Sequence, residues 1–388
     1  MSQAEEAGGG VDQDDESTDL LSVSWNQDNS CFIAASTNGF RVFQCNPFRE
    51  TTRRTPLGPD RGIAVAEMLF RTGVFGIVGA ESNTRFPPTM LRIWDDDGCS
   101  IRVDEYRFAG EIRAVRLSRD YFAVVLDRTI NVYRFRYLKL FYQARTASNP
   151  KGLCCLSHYA DTSVFACPGT SKGQVLVEHF GLKATRLIAA HDSPLSCMAM
   201  ALDGMLLATA SVRGTLIRIF NTRDGTCMQE VRRGLDRAEI HSIALSQNLQ
   251  WLAVSSDKGT VHVFSLRVKH AEEDANNREP ATTVAQVNDN FSCGSMAPVT
   301  QTKKIGSNAS SSLSFMKGVL PKYFSSEWSF AQFRLPEITR YITAFGDQDT
   351  VMMIGLDGSF YRCRFDPVNG GVMVLKEYHQ FLKASKPQ

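Results

Sequence analysis

One phrase recurs along this chain. It consists of an alternating strand, a turn built on Asp, Asn or Gly, an apolar strand, a second turn and a third alternating strand. Its clearest copies are Leu195-Ser-Cys-Met-Ala-Met, Leu206-Leu-Ala-Thr-Ala-Ser and Leu216-Ile-Arg-Ile-Phe, then Ile240-His-Ser-Ile-Ala-Leu, Trp251-Leu-Ala-Val-Ser-Ser and Val261-His-Val-Phe. First strands begin near residues 20, 62, 111, 152, 194, 240 and 340. The first five intervals are close to the period of about 40–45 residues that four-stranded propeller blades require. The sixth is far longer, and residues 267–327 account for the excess. A blade buries its faces only against its neighbours, so the ring must close to satisfy every sheet. The spacing predicts an all-β, seven-bladed, WD-repeat-like β-propeller over residues 18–382, with a long insertion in the sixth blade. Two stacked β-sandwiches would demand no fixed period.

Composition narrows the function. At 388 residues and 43% hydrophobic, the chain can bury a substantial core. A net charge of +2 excludes a globally basic nucleic-acid binder, so any anion site must be local. No apolar run reaches 18 residues, and the start Met1-Ser-Gln-Ala-Glu-Glu lacks the features of a secretion signal. The ten cysteines are scattered, with Cys154-Cys155 the one tight pair, a spacing that suits neither metal nor redox chemistry. Reduced, mostly buried thiols in the cytoplasm are expected. Residues 1–17 carry Glu5, Glu6, Asp12, Asp14, Asp15 and Glu16 without an aromatic and read as a disordered acidic tail, and 383–388 as a short C-terminal tail. Gly-x-x-x-x-Gly-Lys-Ser/Thr, His-Glu-x-x-His and Gly-x-Ser-x-Gly are missing from the sequence. A binding protein without cofactor or metal is expected, not an enzyme.

Val231-Arg232-Arg233-Gly234 ends a predicted strand, Thr226-Cys-Met-Gln-Glu-Val-Arg-Arg. Neighbouring side chains on a strand point to opposite faces, so the two arginines can serve separate pockets. The guanidinium fork gives phosphate two parallel charge-assisted hydrogen bonds. The bland alternative is a basic pair that guards an exposed edge strand. Near the pair lie His191, the run Thr209-Ala-Ser-Val-Arg-Gly-Thr-Leu-Ile-Arg218, and Ser255-Ser-Asp-Lys-Gly-Thr-Val-His262. Their hydroxyls, glycine and cationic groups suit phosphate, although each hydroxyl alone is more often a turn-former.

The insertion has two characters. Residues 267–301 are polar and mixed in charge and read as a flexible loop. From Lys303 to Phe324 there are four lysines and no acid. Leu313, Met316 and Leu320 sit at helical spacing, Phe315, Val319, Tyr323 and Phe324 broaden the apolar face, and Pro321 ends or kinks a helix. Such a segment suits a membrane interface, while a helix folded back on the propeller would use the same residues for packing.

Taken in order, these elements resemble the PROPPIN family, known as WIPI proteins in animals. The likeness spans roughly residues 20–382 and includes Trp94-Asp95-Asp96, Ala-Thr-Ala-Ser-x-x-Gly-Thr-x-Ile-Arg, Gly358-Ser-Phe-Tyr and Tyr378-His-Gln-Phe-Leu382. The wording looks most like plant members. Where the family has Phe/Leu-Arg-Arg-Gly, this chain has Val231 in the first place. The resemblance implies seven-bladed propellers that bind phosphatidylinositol 3-phosphate and 3,5-bisphosphate and act in autophagy. It implies a first site of His191, Thr209, Ser211, Gly214, Thr215, Arg218 and Arg232, and a second of Arg233, Ser255 or Ser256, Thr260 and His262. It implies a sixth-blade loop whose apolar residues Phe315, Met316, Val319, Leu320, Tyr323 and Phe324 enter the bilayer. The stretch with Arg85, Phe86, Pro87, Pro88, Trp94, Asp95 and Asp96 is similar to the part offered to the rod-like lipid-transfer protein of autophagy. Expected, then, is a cytoplasmic monomer that is peripheral on preautophagosomal, endosomal or vacuolar membranes and binds no nucleic acid. The rival expectation is a WD-repeat scaffold that grips peptides at its central channel.

Overall fold

The computed structural model describes residues 19–55, 62–80, 85–96, 101–159, 163–267, 306–309, 327–347 and 349–382. Among the described residues the regular secondary structure is entirely β, arranged as seven sheets. Blade 1 holds β1 (Leu20–Trp25), β2 (Cys31–Ser36), β3 (Gly39–Gln44) and β4 (Arg49–Arg54). Blade 2 holds β5 (Ile63–Met68), β6 (Val74–Gly79), β7 (Met90–Asp96) and β8 (Ile101–Arg107). Blade 3 follows with β9 (Ala114–Leu117), β10 (Tyr121–Val125), β11 (Thr129–Arg134) and β12 (Lys139–Arg145). Blade 4 has β13 (Cys155–Leu156), β14 (Val164–Pro168), β15 (Gln174–His179) and β16 (Ala184–Ala189). Blade 5 has β17 (Leu195–Met200), β18 (Leu206–Ser211), β19 (Leu216–Asn221) and β20 (Cys227–Arg232). In blade 6, β21 (Ile240–Leu245), β22 (Trp251–Ser256) and β23 (Thr260–Ser265) precede the insertion. The short β24 (Glu327–Trp328) adds to blade 5, and β25 (Ala331–Arg334) completes blade 6. Blade 7 has β26 (Tyr341–Phe345), β27 (Thr350–Gly355), β28 (Ser359–Arg364) and β30 (Val374–Gln380), while β29 (Gly371–Val372) caps the edge of blade 6.

The innermost strands β1, β5, β9, β13, β17, β21 and β26 each touch the next, and β26 touches β1, so the ring is closed. The second strands are the apolar ones because both their faces meet neighbouring blades: β2, β18 and β22 are buried at every position. Outer strands face solvent and alternate or stay polar, as in Arg49–Arg54. Blade 3 starts at Ala114, later than the expected 111, because the Ile112 amide donates to the Pro88 carbonyl of blade 2 at 2.9 Å and stays outside the ladder.

Blades 7 and 1 close the ring through side chains. Phe32 stacks on Phe43 at 5.0 Å and on Phe360 at 6.0 Å, and Phe381 leans on Phe32 at 5.1 Å. The Arg362 guanidinium donates to the Cys45 carbonyl across the seam at 2.6 Å.

The insertion lies between β23 and β25, as the spacing required. Within the insertion, residues 306–309 are described, and Asn308 is only 4% exposed and hydrogen-bonded to the propeller. The acidic stretch 1–17, the tail 383–388, and Phe315, Met316, Val319, Leu320, Tyr323 and Phe324 lie outside the described residues.

Candidate functional site

The arginine pair ends β20, the last of blade 5's own four strands. Register sets Thr209 opposite Arg218, Arg218 opposite Glu230 and Leu216 opposite Arg232. Directly opposed residues share a face, so Thr209, Arg218, Glu230 and Arg232 stand on one side of the blade. Leu207 and Phe220 on that side pack into the core shared with blade 4. The His191 ring, from the connection after β16, places Nε2 3.0 Å from Thr209 Oγ1. Arg218 donates through Nε to Glu230 Oε2 at 2.8 Å and through Nη1 to the Ala190 carbonyl at 2.6 Å. Burial pushes the His191 pKa down to about 4, and the Arg218 charge adds to the shift. His191 is therefore a neutral donor or acceptor at neutral pH, not a cation.

Ser211 and Gly214 shape the turn above this face. The buried Ser211 hydroxyl accepts from the Arg213 amide at 3.4 Å, and Ser211 and Thr209 share a face two residues apart. Gly214 has φ +62°, and a Cβ there would lie 1.8 Å from the Ala238 carbonyl oxygen. A side chain at 214 would force this turn apart. Thr215 is half-buried, and its carbonyl accepts from the Arg233 amide at 2.9 Å.

Arg233 goes to the other side. Val231, two residues earlier, is fully buried in the core between blades 5 and 6. The Arg233 guanidinium, on that side, donates through Nε to the Gly214 carbonyl at 3.0 Å and through Nη2 to the Asp236 carbonyl at 2.5 Å. Burial lowers its pKa, with the Asp257 and Asp236 carboxylates opposing. Backbone carbonyls hold it in place, with no ion pair among the described residues, and a guanidinium has five N–H donors in all. The His262 ring faces Arg233: His262 stands opposite Val254, which packs in the same core. Burial pushes the His262 pKa down to about 4, and the charge of Arg233 reinforces it. His262 Nδ1 is buried with no hydrogen-bond partner among the described residues. Half-buried Thr260 and buried Ser256 lie on this face, the Ser256 hydroxyl accepting from the Lys258 amide at 3.4 Å.

Ser255 is not brought to this site. It points to the opposite face, where its hydroxyl donates to the Tyr341 carbonyl of blade 7 at 2.7 Å. Of the two serines the sequence leaves open, the pleat selects Ser256. Glu230 was missed. It stands two residues before Arg232, hence on the same face, and that spacing was legible.

The blade 2 stretch is only partly a surface. Arg85 and Asp95 are exposed, and Pro87 and Pro88 are half-buried. Phe86 is 3% exposed, with the Arg92 guanidinium 4.3 Å above its ring, so it is a core residue and cannot be a first contact for a partner. Trp94 packs edge-on against Phe40 at 6.5 Å, and Asp96 holds Arg54 of blade 1 at 2.7 Å. At the ring's centre a cavity of ≈ 540 Å³ is lined by all seven blades, with Arg113, Arg116, Lys151 and Arg340 on its wall.

The chain matches the PROPPIN family model over residues 19–312. The chain belongs to the PROPPIN family. Autophagy-related protein 18e of Arabidopsis thaliana is 43% identical over 375 residues, covering 95% of this chain and 90% of the relative. "WD repeat domain phosphoinositide-interacting protein 2" of Mus musculus is 29% identical, covering 98% and 79%. Among solved structures, Kluyveromyces lactis Hsv2 superposes with a TM-score of 0.69 at 21% identity, covering 94% of this chain and 99% of that one. A structure described as "Complex of KlAtg21 with coiled-coil of AgAtg16" gives 0.69 at 23% identity, covering 94% and 99%. The propeller fold of the PROPPINs and membership of an autophagy protein family follow for this chain.

Proposed function

We propose that this PROPPIN is a phosphoinositide effector that docks edge-on to autophagic membranes. One observation carries the reading: Arg232, the last residue of β20, and Arg233, the next, serve opposite faces, the first on the face of the Thr209–His191 pair and the second near the His262 imidazole. The first pocket comprises His191, Thr209, Ser211, Gly214, Thr215, Arg218 and Arg232. The second comprises Arg233, Ser256, Thr260 and His262. Each takes one inositol phosphate headgroup, of phosphatidylinositol 3-phosphate or the 3,5-bisphosphate. The name of the mouse relative, which includes "phosphoinositide-interacting", supports this ligand class.

The apolar residues Phe315, Met316, Val319 and Leu320, with Tyr323 and Phe324, then enter the interface. Linking weak contacts raises avidity by about 10²–10⁴, and each basic residue near an anionic surface adds about 1 kcal/mol. Once docked, the protein recruits other autophagy proteins, the lipid-transfer partner among them, by its remaining rim. Arg85 and Asp95 are the exposed members of the stretch that would meet it. The yeast complex with an Atg16 coiled coil supports a protein partner on a related propeller.

Flotation with vesicles of each singly and doubly phosphorylated inositide tests the reading. Binding to 3-phosphorylated vesicles and not to neutral ones is expected. Equal binding to vesicles lacking phosphoinositide would overturn it in favour of a peptide scaffold acting at the central cavity.

A further inference from the structure

Four separate chain segments meet at one polar knot on the outer edge of blades 5 and 6. Asn308 Nδ2 donates to the Ser265 carbonyl at 2.7 Å and to Glu327 Oε2 at 2.8 Å, and its Oδ1 accepts from the Ser265 amide at 2.6 Å. Gln229, on β20 three residues before Arg232, donates to the same Ser265 carbonyl at 3.1 Å and the same Glu327 oxygen at 2.9 Å. Gln229 Oε1 accepts from the Arg267 amide at 3.0 Å, and the Arg267 guanidinium lies 3.6 Å from Glu327. Above the knot, the Trp328 amide donates to the Ala309 carbonyl at 2.8 Å, and β24 runs parallel to β20 with Trp328 beside Arg232.

The insertion is thus pinned three times: where it leaves after Arg267, at 306–309, and where it returns at Glu327. The pins divide it into two excursions, 268–305 and 310–326. The second carries every apolar residue assigned above to the membrane, and its return strand is hydrogen-bonded to the strand of the arginine pair.

We propose that Asn308, with Gln229 and Glu327, is a clasp that fixes where the chain leaves at Ala309 and returns at Glu327, beside the proposed headgroup pockets. These are positioning residues; none of them need touch lipid. A half-buried carboxylate that accepts from two side-chain amides and faces an arginine is held in one place, so both ends of the second excursion start from a fixed edge. Linked contacts gain avidity only when geometry lets them engage together, and the clasp supplies that geometry. The 268–305 excursion, re-anchored before the second begins, contributes nothing to it.

The inference rests on the proposed membrane function, and the experiment separates the two. Vesicle flotation, affinity for a soluble inositol 1,3-bisphosphate headgroup and thermal melting would be measured for the full chain and four variants. Replacing 268–305 by a short Gly/Ser link should leave vesicle binding unchanged. Asn308→Ala should keep headgroup affinity but weaken vesicle binding by about tenfold, since one of the linked contacts is lost. Glu327→Gln, which keeps the side-chain volume, should do the same to a lesser degree and serves if the first variant fails to fold. Vesicle binding unchanged in both point variants, or headgroup affinity lost with it, would overturn the clasp, as would loss of vesicle binding in the linked chain. If instead Arg232→Thr/Arg233→Thr floats like the full chain, the membrane reading itself fails, whatever the clasp variants do.

Discussion

Blade 2 is a near copy of blade 5 without the groups proposed to bind anions. In blade 2, Arg92 pairs with Glu105 at 2.8 Å, and Arg107 stands opposite Met90. In blade 5, Arg218 pairs with Glu230 at 2.8 Å, and Arg232 stands opposite Leu216. The next residue bonds identically in both: the Phe108 amide donates to the Thr89 carbonyl at 2.9 Å, and the Arg233 amide to the Thr215 carbonyl at 2.9 Å. The differences are few. Ile77 faces Arg92 where Thr209 faces Arg218. Gly79 takes the place of Ser211 against the first strand. Phe108 packs edge-on with Tyr133 at 6.4 Å on the side where blade 5 sends Arg233. The Phe86 ring covers Arg92, where the Thr209–His191 pair stands beside Arg218.

The comparison separates framework from function. An arginine on the third strand, held by a glutamate on the fourth and followed by a second arginine, is a device of the blade. It stitches outer strands together, and being partly exposed it adds little stability on its own. What distinguishes blade 5 is a hydroxyl in place of a methyl-bearing face, and a second guanidinium in place of a ring. Arg218 is therefore a strut before it is a proposed ligand.

The largest effect should come from Arg232→Thr with Arg233→Thr: loss of both pockets removes the linked gain of about 10²–10⁴, and flotation with 3-phosphorylated vesicles should fall to background. Intact melting would show that the fold survives. Thr209→Ile, which installs the blade 2 residue, should weaken headgroup binding by about tenfold, because a hydrogen bond to a charged group contributes about 1.5–3 kcal/mol. Isothermal titration with a soluble headgroup checks this; an unchanged affinity would mean the first pocket does not use the hydroxyl.

A smaller effect is expected with pH. The pKa values of His158, His191 and His262 are all pushed down to about 4 by burial. Their neutral forms favour the fold above the ordinary value of about 6.5, and that contribution is lost as pH falls from there toward 4. Burial raises Glu67 to about 7, which acts in the opposite sense over part of that window, but four imidazoles, His241 among them, oppose one carboxyl. Melting temperature should fall between pH 6.5 and 4, and His262→Phe should flatten the decline. The smallest effect belongs to Arg107→Thr: vesicle binding should not change, and a loss matching that of Arg232 would erase the distinction between the blades.

Much of this was legible. The period fixed seven blades because unpaired sheet faces demand neighbours, and strand starts at Leu20 and Ile240 fell where expected. The splaying of the arginines followed from the pleat alone. Other features depended on register across strands that the sequence does not align. Ser255 and Ser256 could be told apart only once Val254 was placed in the blade 5–6 core. Phe86 was expected at a partner surface through the resemblance alone, yet the turn folds its ring inward over blade 2. Asn308 sits in a polar stretch that nothing in the local pattern distinguishes; its burial depends on Gln229 and Glu327, each distant in sequence.

The aromatic seam between the first and last blades has a mechanical consequence. Among the described residues no strand is exchanged across it, so the circle is fastened like a buckle of packed rings and not stitched like a hem. Pulling the two ends of the chain apart should part Phe32 from Phe360 and Phe381 before any ladder unzips, leaving an open arc of intact sheets.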